Sequence, residues 1–165
     1  MLKLIDLTPG HPLLDEVERY FREMYAGMSA QGLKIPLAAD GEKLWRAGVE
    51  RSLGRLGIVS VATYDGAPVG FGAGLIRFTP DYLGSQKVGY ISHVYVAPGK
   101  RCGGIGRALV LTLERFFECH SVISVELQVL AGNPAAHAFW YSLGYEDELC
   151  QMRKSFRNPV PVNAV

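Results

Sequence analysis

The stretch Val94–Leu113, VYVAPGKRCGGIGRALVLTL, decides how the rest of the chain is read. It opens on Val94-Tyr95-Val96, β-branched and aromatic residues that favour a strand. Ala97-Pro98-Gly99 ends that strand, because proline cannot extend a hydrogen-bonded ladder and glycine loosens the turn. Arg101-Cys102-Gly103-Gly104-Ile105-Gly106 then leads into a helix predicted over residues 103–119. Its Ile105, Ala108, Leu109, Thr112, Leu113 and Phe116 recur at helical spacing on one face. The order is strand, glycine-rich loop, helix N-terminus. The first turn of a helix offers free N–H groups and the positive end of its dipole. Gly103, Gly104 and Gly106 place no side chain in the way of a ligand, and Arg101 and Arg107 add full positive charge. This is a site for a phosphate, and most naturally a pyrophosphate. A plain turn needs the glycines but not the two arginines.

Two other nucleotide signatures fit less well. A Walker loop ends in Gly-Lys-Ser/Thr, whereas Gly106 is followed by Arg107-Ala108. A dinucleotide fingerprint needs a third Gly or Ala where Leu109 stands, although Glu126 lies at the distance expected of a ribose-binding acid. The dinucleotide reading stays open as an alternative.

With 165 residues, 48% of them apolar and 20% charged, the composition is that of a globular domain. The net charge of +1 and the lack of a long basic run give no reason to expect a nucleic-acid or membrane surface. Cys102, Cys119 and Cys150 are widely spaced and form no CxxC pair, and the histidines show no metal-ligand spacing. Reduced thiols, a cytoplasmic location and no metal are expected. The opening MLKLIDL lacks the apolar region of a signal peptide, and no stretch is long enough to span a bilayer.

Along the chain, Leu2 to Leu7 predicts a short strand and residues 11–28 a helix, with Leu14, Val17, Tyr20, Phe21 and Met24 inward. Asp40 is the expected N-cap of a second helix ending near residues 54–57, with Leu44, Ala47 and Leu53 on its apolar face. Ile58–Tyr64, the Asp65-Gly66 hairpin turn, Pro68–Phe78 and Val88–Val96 predict a three-strand meander. Gly70, Gly72 and Gly74 in its middle strand imply close backbone approach or a bulge. After the glycine-loop helix come a strand over 121–130 and a helix capped by Asn133 and started by Pro134, with Ala136, Phe139, Trp140 and Leu143 as its stripe. Gly144 stops that helix, and residues 145–156 predict a last strand. The domain is expected to be one unit over 1–156, with 157–165 a loose tail.

Arg101-x-x-Gly104-x-Gly106 after a Val-x-Val strand resembles the acetyl-CoA motif of the GCN5-related N-acetyltransferases, the GNAT family. Leu127-x-Val129-x-x-x-Asn133 and Phe139-Trp140-x-x-Leu143-Gly144-Tyr145 resemble that family's second half. The order of elements is similar over nearly the whole chain and least so in residues 1–57. The resemblance implies an α/β (mixed α+β) fold, with a mixed, mostly antiparallel sheet flanked by helices. It implies acetyl-CoA as cosubstrate and transfer of the acetyl group directly to a primary amine, expected to belong to a small molecule. It assigns the cofactor to the Val94, Tyr95 and Val96 strand, to Cys102, Ile105 and the loop glycines and arginines, and to Asn133 and Trp140. The acceptor is expected between Ser29–Ala39 and Thr79–Lys87. The family also favours a homodimer, here through the last strand and the valine-containing tail.

The sequence departs from the family pattern twice. Many members carry Phe-Tyr ahead of the Leu-Gly ending, the tyrosine facing the CoA sulfur, but Trp140 stands there. An indole N–H donates a hydrogen bond but is no practical proton source. Tyr141, about 100° further round the helix, is the candidate acid, with solvent the alternative. Many members also carry a glutamate near the position of Ser92. The adjacent His93 is the candidate base, with Glu126 and a water chain as alternatives. These departures keep a non-catalytic acyl-CoA-binding or sensor domain open, and a protein N-terminal acetyltransferase is a further alternative.

Overall fold

A computed structural model describes residues 1–157. Strands β1 (Leu2–Asp6), β2 (Gly57–Tyr64), β3 (Ala67–Phe78), β4 (Lys87–Val96) and β5 (Val125–Leu127) form one sheet in the order β1-β2-β3-β4-β5. The first four strands pair antiparallel, and β5 joins β4 in parallel. Parallel neighbours need a crossover, and helix α3 (Ile105–Cys119) provides it. Helices α1 (Leu14–Ala30) and α2 (Gly41–Glu50) precede β2, and α4 (Pro134–Ser142) follows β5.

Alternation along the strands sorts the core into two faces. Val59, Val61, Phe71, Ala73 and Tyr95 pack with Leu14, Val17, Tyr20 and Phe21 of α1. Ile58, Ile76 and Ile91 pack with Val110, Leu113 and Phe117 of α3, with Phe139, Trp140 and Leu143 of α4 against them. The glycines of β3 and β4 bring α3 close. A Cβ on Gly72 would stand 3.2 Å from Leu113, and one on Gly74 or Gly89 would stand 2.8 or 2.7 Å from the Phe117 ring. The buried ridge of α3 therefore runs through Val110 and Phe117, and Phe116 is only partly buried.

Several expectations need correction. Residues 145–156 form no strand. Residues 146–148 are three consecutive acids, and a Gln128–Gln151 side-chain hydrogen bond of 3.3 Å runs from beside β5 to this segment without any ladder. The strand expected over 121–130 shrinks to three residues, and its ladder with β4 ends at Ile91, where β4 is bulged. Asp40 precedes α2 in a left-handed conformation (φ 54°), and its carboxylate binds Lys43 at 2.7 Å instead of capping. Leu44 is 69% exposed instead of core-facing. Helix α1 starts at Leu14, and α2 already ends at Glu50. Residues 158–165, and with them most of the expected tail, lie outside the described residues.

Candidate functional site

The site begins where the sheet comes apart. On β4, His93 pairs with Ala73 and Ile91 with Gly74, so Ser92 is an extra residue in a bulge. The β4–β5 ladder stops at the same level, its last pair being Ile91 and Leu127. From Ser92 to Val96, β4 keeps β3 on one side and, among the described residues, has no strand on the other. Its main-chain groups on that edge can take an extended, amide-containing ligand in place of a strand.

The same strand feeds the glycine-rich loop. Pro98–Lys100 makes a single 3-10 turn, and Arg101 Nε donates to Val96 O at 2.9 Å. Cys102 (φ 63°) and Gly104 (φ 76°) take left-handed conformations that turn the chain into α3. Gly104 is the helix cap and makes no side-chain hydrogen bond, so the first-turn N–H groups stay open to a ligand. Ile105 and Leu109 are buried and fix the helix end in place. A Cβ on Gly106 would lie 3.3 Å from Phe139, so the glycine also allows α4 to pack close.

An open cleft of about 1420 Å³ joins the free edge of β4 to this loop. Val94, Tyr95, Val96, Asn133 and Trp140 line it, as do Arg101, Cys102, Gly104, Ile105, Gly106 and Arg107. Gly103 does not reach its wall. Asn133 Oδ1 accepts from Ala136 N at 3.1 Å, as an N-cap should, and its Nδ2 donates to Gln31 Oε1 at 3.1 Å. That bond ties the end of α1 to the start of α4.

His93 also lines the cleft, beside Phe21, Tyr25 and Trp45 at ring distances of 4.9, 6.1 and 5.7 Å. Burial among these rings disfavours the imidazolium and lowers its pKa to about 4. Its Nδ1 lies 3.0 Å from Ser92 Oγ, which donates to Ala73 O at 3.1 Å. A hydroxyl that has given away its proton can only accept here, so the network assigns the proton to Nδ1 and leaves Nε2 with a lone pair.

Tyr141 is the clear correction. It does not line the cleft; it is 49% exposed and donates its hydroxyl proton to Asp147 Oδ2 at 2.5 Å. This bond raises its pKa further. The turn of the helix that brings Trp140 to the cleft carries its neighbour to the outside. Glu126 is half-exposed, lies 3.9 Å from Arg77 and is not part of the wall. Of the two loops expected around the acceptor, Gln31 and Leu33 contribute and residues 79–87 do not.

Sequence reading missed the opposite wall, made by Glu23, Tyr25, Trp45, Leu75 and Tyr90. Tyr95 crosses to that side, its hydroxyl donating to Glu23 Oε2 at 2.9 Å; burial and this bond push its pKa up to about 12. The dinucleotide alternative loses its structural basis, because four of the five strands run antiparallel and no doubly wound sheet is present among the described residues.

Comparison with known proteins agrees with this geometry. The family model "Acetyltransferase (GNAT) family" matches residues 37–145. Among solved structures, the aminoglycoside N-acetyltransferase AAC(6')-Iy in complex with CoA is similar over 95% of this chain and 96% of its own, at 14% identity and a TM-score of 0.75. A mutant of the BH1408 protein from Bacillus halodurans is 22% identical over 94% of this chain and 99% of its own, with a TM-score of 0.79. A putative acetyl transferase from Pyrococcus furiosus is 21% identical over 94% of this chain and all (100%) of its own, with a TM-score of 0.71. At these identities the likeness is one of fold. No curated protein matches the sequence. Split strands, glycine loop and family match converge: the chain belongs to the GNAT acetyltransferase family, which makes it an acetyl-CoA-dependent N-acetyltransferase.

Proposed function

We propose that this protein moves the acetyl group of acetyl-CoA directly onto the primary amine of a small molecule. One observation carries the reading: the unpaired edge of β4 and the glycine–arginine start of α3 open into a single cleft. The loop around Arg101 and Arg107 would hold the pyrophosphate at the helix N-terminus. The pantetheine arm would lie along Ser92–Val96, where a main-chain N–H would polarise the thioester oxygen. In this reading His93 Nε2 accepts an N–H of the neutral amine and aims its lone pair at the thioester carbon. As the C–N bond forms and the C–S bond breaks, CoA leaves as a thiolate, a good leaving group, and solvent protonates it. The ammonium proton passes from the amine to water by way of His93.

The test follows free thiol in the presence of acetyl-CoA and an amine library. Amine-stimulated release supports transfer; binding of acetyl-CoA with no release by any amine supports the alternative of a non-catalytic acyl-CoA sensor. The reading includes a reducing, cytoplasmic setting, since Cys102, Cys119 and Cys150 are all free and exposed. Among the described residues no helix is long and apolar enough to cross a membrane. It also includes a homodimer, supported by the exposed Leu149, Met152 and Phe156 on a segment that runs beside β5. A monomer mass independent of concentration in light scattering would rule the dimer out.

A further inference from the structure

The acceptor half of the cleft differs in chemistry from its cofactor half. It is bounded by Tyr25, Leu44, Trp45, Leu75 and Tyr90. Leu44 is 69% exposed on this wall, an apolar side chain held in water until something covers it. Among the described residues Glu23 is the one carboxylate on the cleft lining, and it is already engaged. Its Oε1 accepts from Arg19 at 2.5 Å, a guanidinium it shares with Glu16, and its Oε2 accepts from Tyr95 at 2.9 Å, so both oxygens already hold a donor. The charged side chain on the sheet floor of this half is a cation, Arg77, whose guanidinium lies 3.3 Å from the centre of the Tyr90 ring. The nearby Glu126 is 3.9 Å from Arg77 and faces that cation.

A polyamine or aminoglycoside brings several ammonium groups, each needing a carboxylate or open water. Here a second ammonium would meet an aromatic and aliphatic wall, a carboxylate whose two oxygens already hold donors, and a guanidinium. A single amine on an apolar body meets covering surface instead, and loses charge only at the nitrogen that reacts. From this charge balance we infer that the acceptor is a monoamine with an aromatic or aliphatic body, and that polycationic amines are poor substrates. The inference rests on the acetyltransferase reading and narrows its acceptor.

The experiment compares 2-phenylethylamine and tryptamine with spermine and neamine, following thiol release from acetyl-CoA, with acetyl-CoA binding measured separately by calorimetry. The expected result is a kcat/KM for the arylalkylamines at least ~10-fold above either polycation, in the range one apolar contact region supplies. Leu44→Asp, at an exposed position that does not endanger folding, should lower arylalkylamine kcat/KM by about 5-fold or more through KM, with acetyl-CoA affinity unchanged. Polycations used as well as the arylalkylamines would overturn the inference and leave acetyl transfer standing. So would a Leu44→Asp protein with parental arylalkylamine kinetics. No release with any of these four amines, despite acetyl-CoA binding, would overturn the inference, and release by another member of the amine library would leave acetyl transfer standing.

Discussion

Ser92 Oγ lies 3.0 Å from His93 Nδ1, although neighbours in a regular strand point to opposite faces. The bulge in β4 brings the two side chains together, and the same bulge ends the pairing with β5. One irregularity thus frees the edge of β4 and sets the imidazole beside it in a defined tautomer.

Replacing His93 should separate chemistry from binding. His93→Phe suits the surrounding rings and removes the Nε2 lone pair. We expect kcat/KM to fall on the order of 100-fold while acetyl-CoA affinity holds. Because burial lowers its pKa to about 4, the parental pH–rate profile should show no acidic limb near 6.5 from this group. Unchanged turnover in the variant would remove His93 from the mechanism.

The same shift predicts acid sensitivity of the fold. A histidine whose folded pKa is depressed takes up its proton in the unfolded chain first. Its contribution is complete above pH 6.5, and stability falls as pH drops from 6.5 towards 4. The loss should reach about 2–3 kcal/mol by pH 4.5. Urea midpoints at pH 7 and 4.5 should diverge more for the parent than for His93→Phe; equal divergence would contradict the buried neutral state.

Gly104→Ala probes the loop. With φ at 76°, a side chain costs about 1–2 kcal/mol of stability, but no protein atom lies within 4 Å of the new Cβ. The methyl group would project into the ligand's space, so the Kd for CoA should rise by ~10-fold or more. Parental CoA affinity in calorimetry would place the pyrophosphate elsewhere.

Tyr141→Phe should turn over like the parent, because the hydroxyl serves only an exposed bond to Asp147. Trp140→Phe should change the rate modestly, through packing against Tyr145 (ring distance 5.2 Å). A hundredfold loss in Tyr141→Phe would restore it as the acid.

Gly89→Ala tests how α3 is seated. Its Cβ would stand 2.7 Å from the Phe117 ring, closer than real contacts allow. Overpacking of this kind should lower stability by about 1–3 kcal/mol in thermal or urea unfolding. Phe117→Leu in the same chain should recover part of it.

The strand–loop–helix run and the three-strand meander were legible because proline, glycine and alternation mark their ends. The bulge was also written in the chain, as a break in parity. Gly89 and Ile91 face α3, then Val94 and Val96 do, so the inward positions change from odd to even at Ser92-His93. A strand read residue by residue as regular hides that step. Tyr141 was misplaced because the slot it was meant to fill belongs to a face of α4 set by tertiary packing. The acceptor wall was missed because Tyr25, Leu44 and Trp45 look like ordinary members of apolar helix faces. Only their position over the sheet shows which of them the core uses and which are left uncovered.

The gap between β4 and β5 also ties the durability of the fold to its ligand. A sheet whose last two strands part after three paired residues would gain rungs if the pantetheine arm filled the gap, and a ligand that binds only the folded chain protects it by RT ln(1 + [L]/Kd). Bound CoA would then make the folded chain harder to cut. Limited proteolysis with and without CoA should show this as slower cutting around β5 and α4, and equal rates would argue against it.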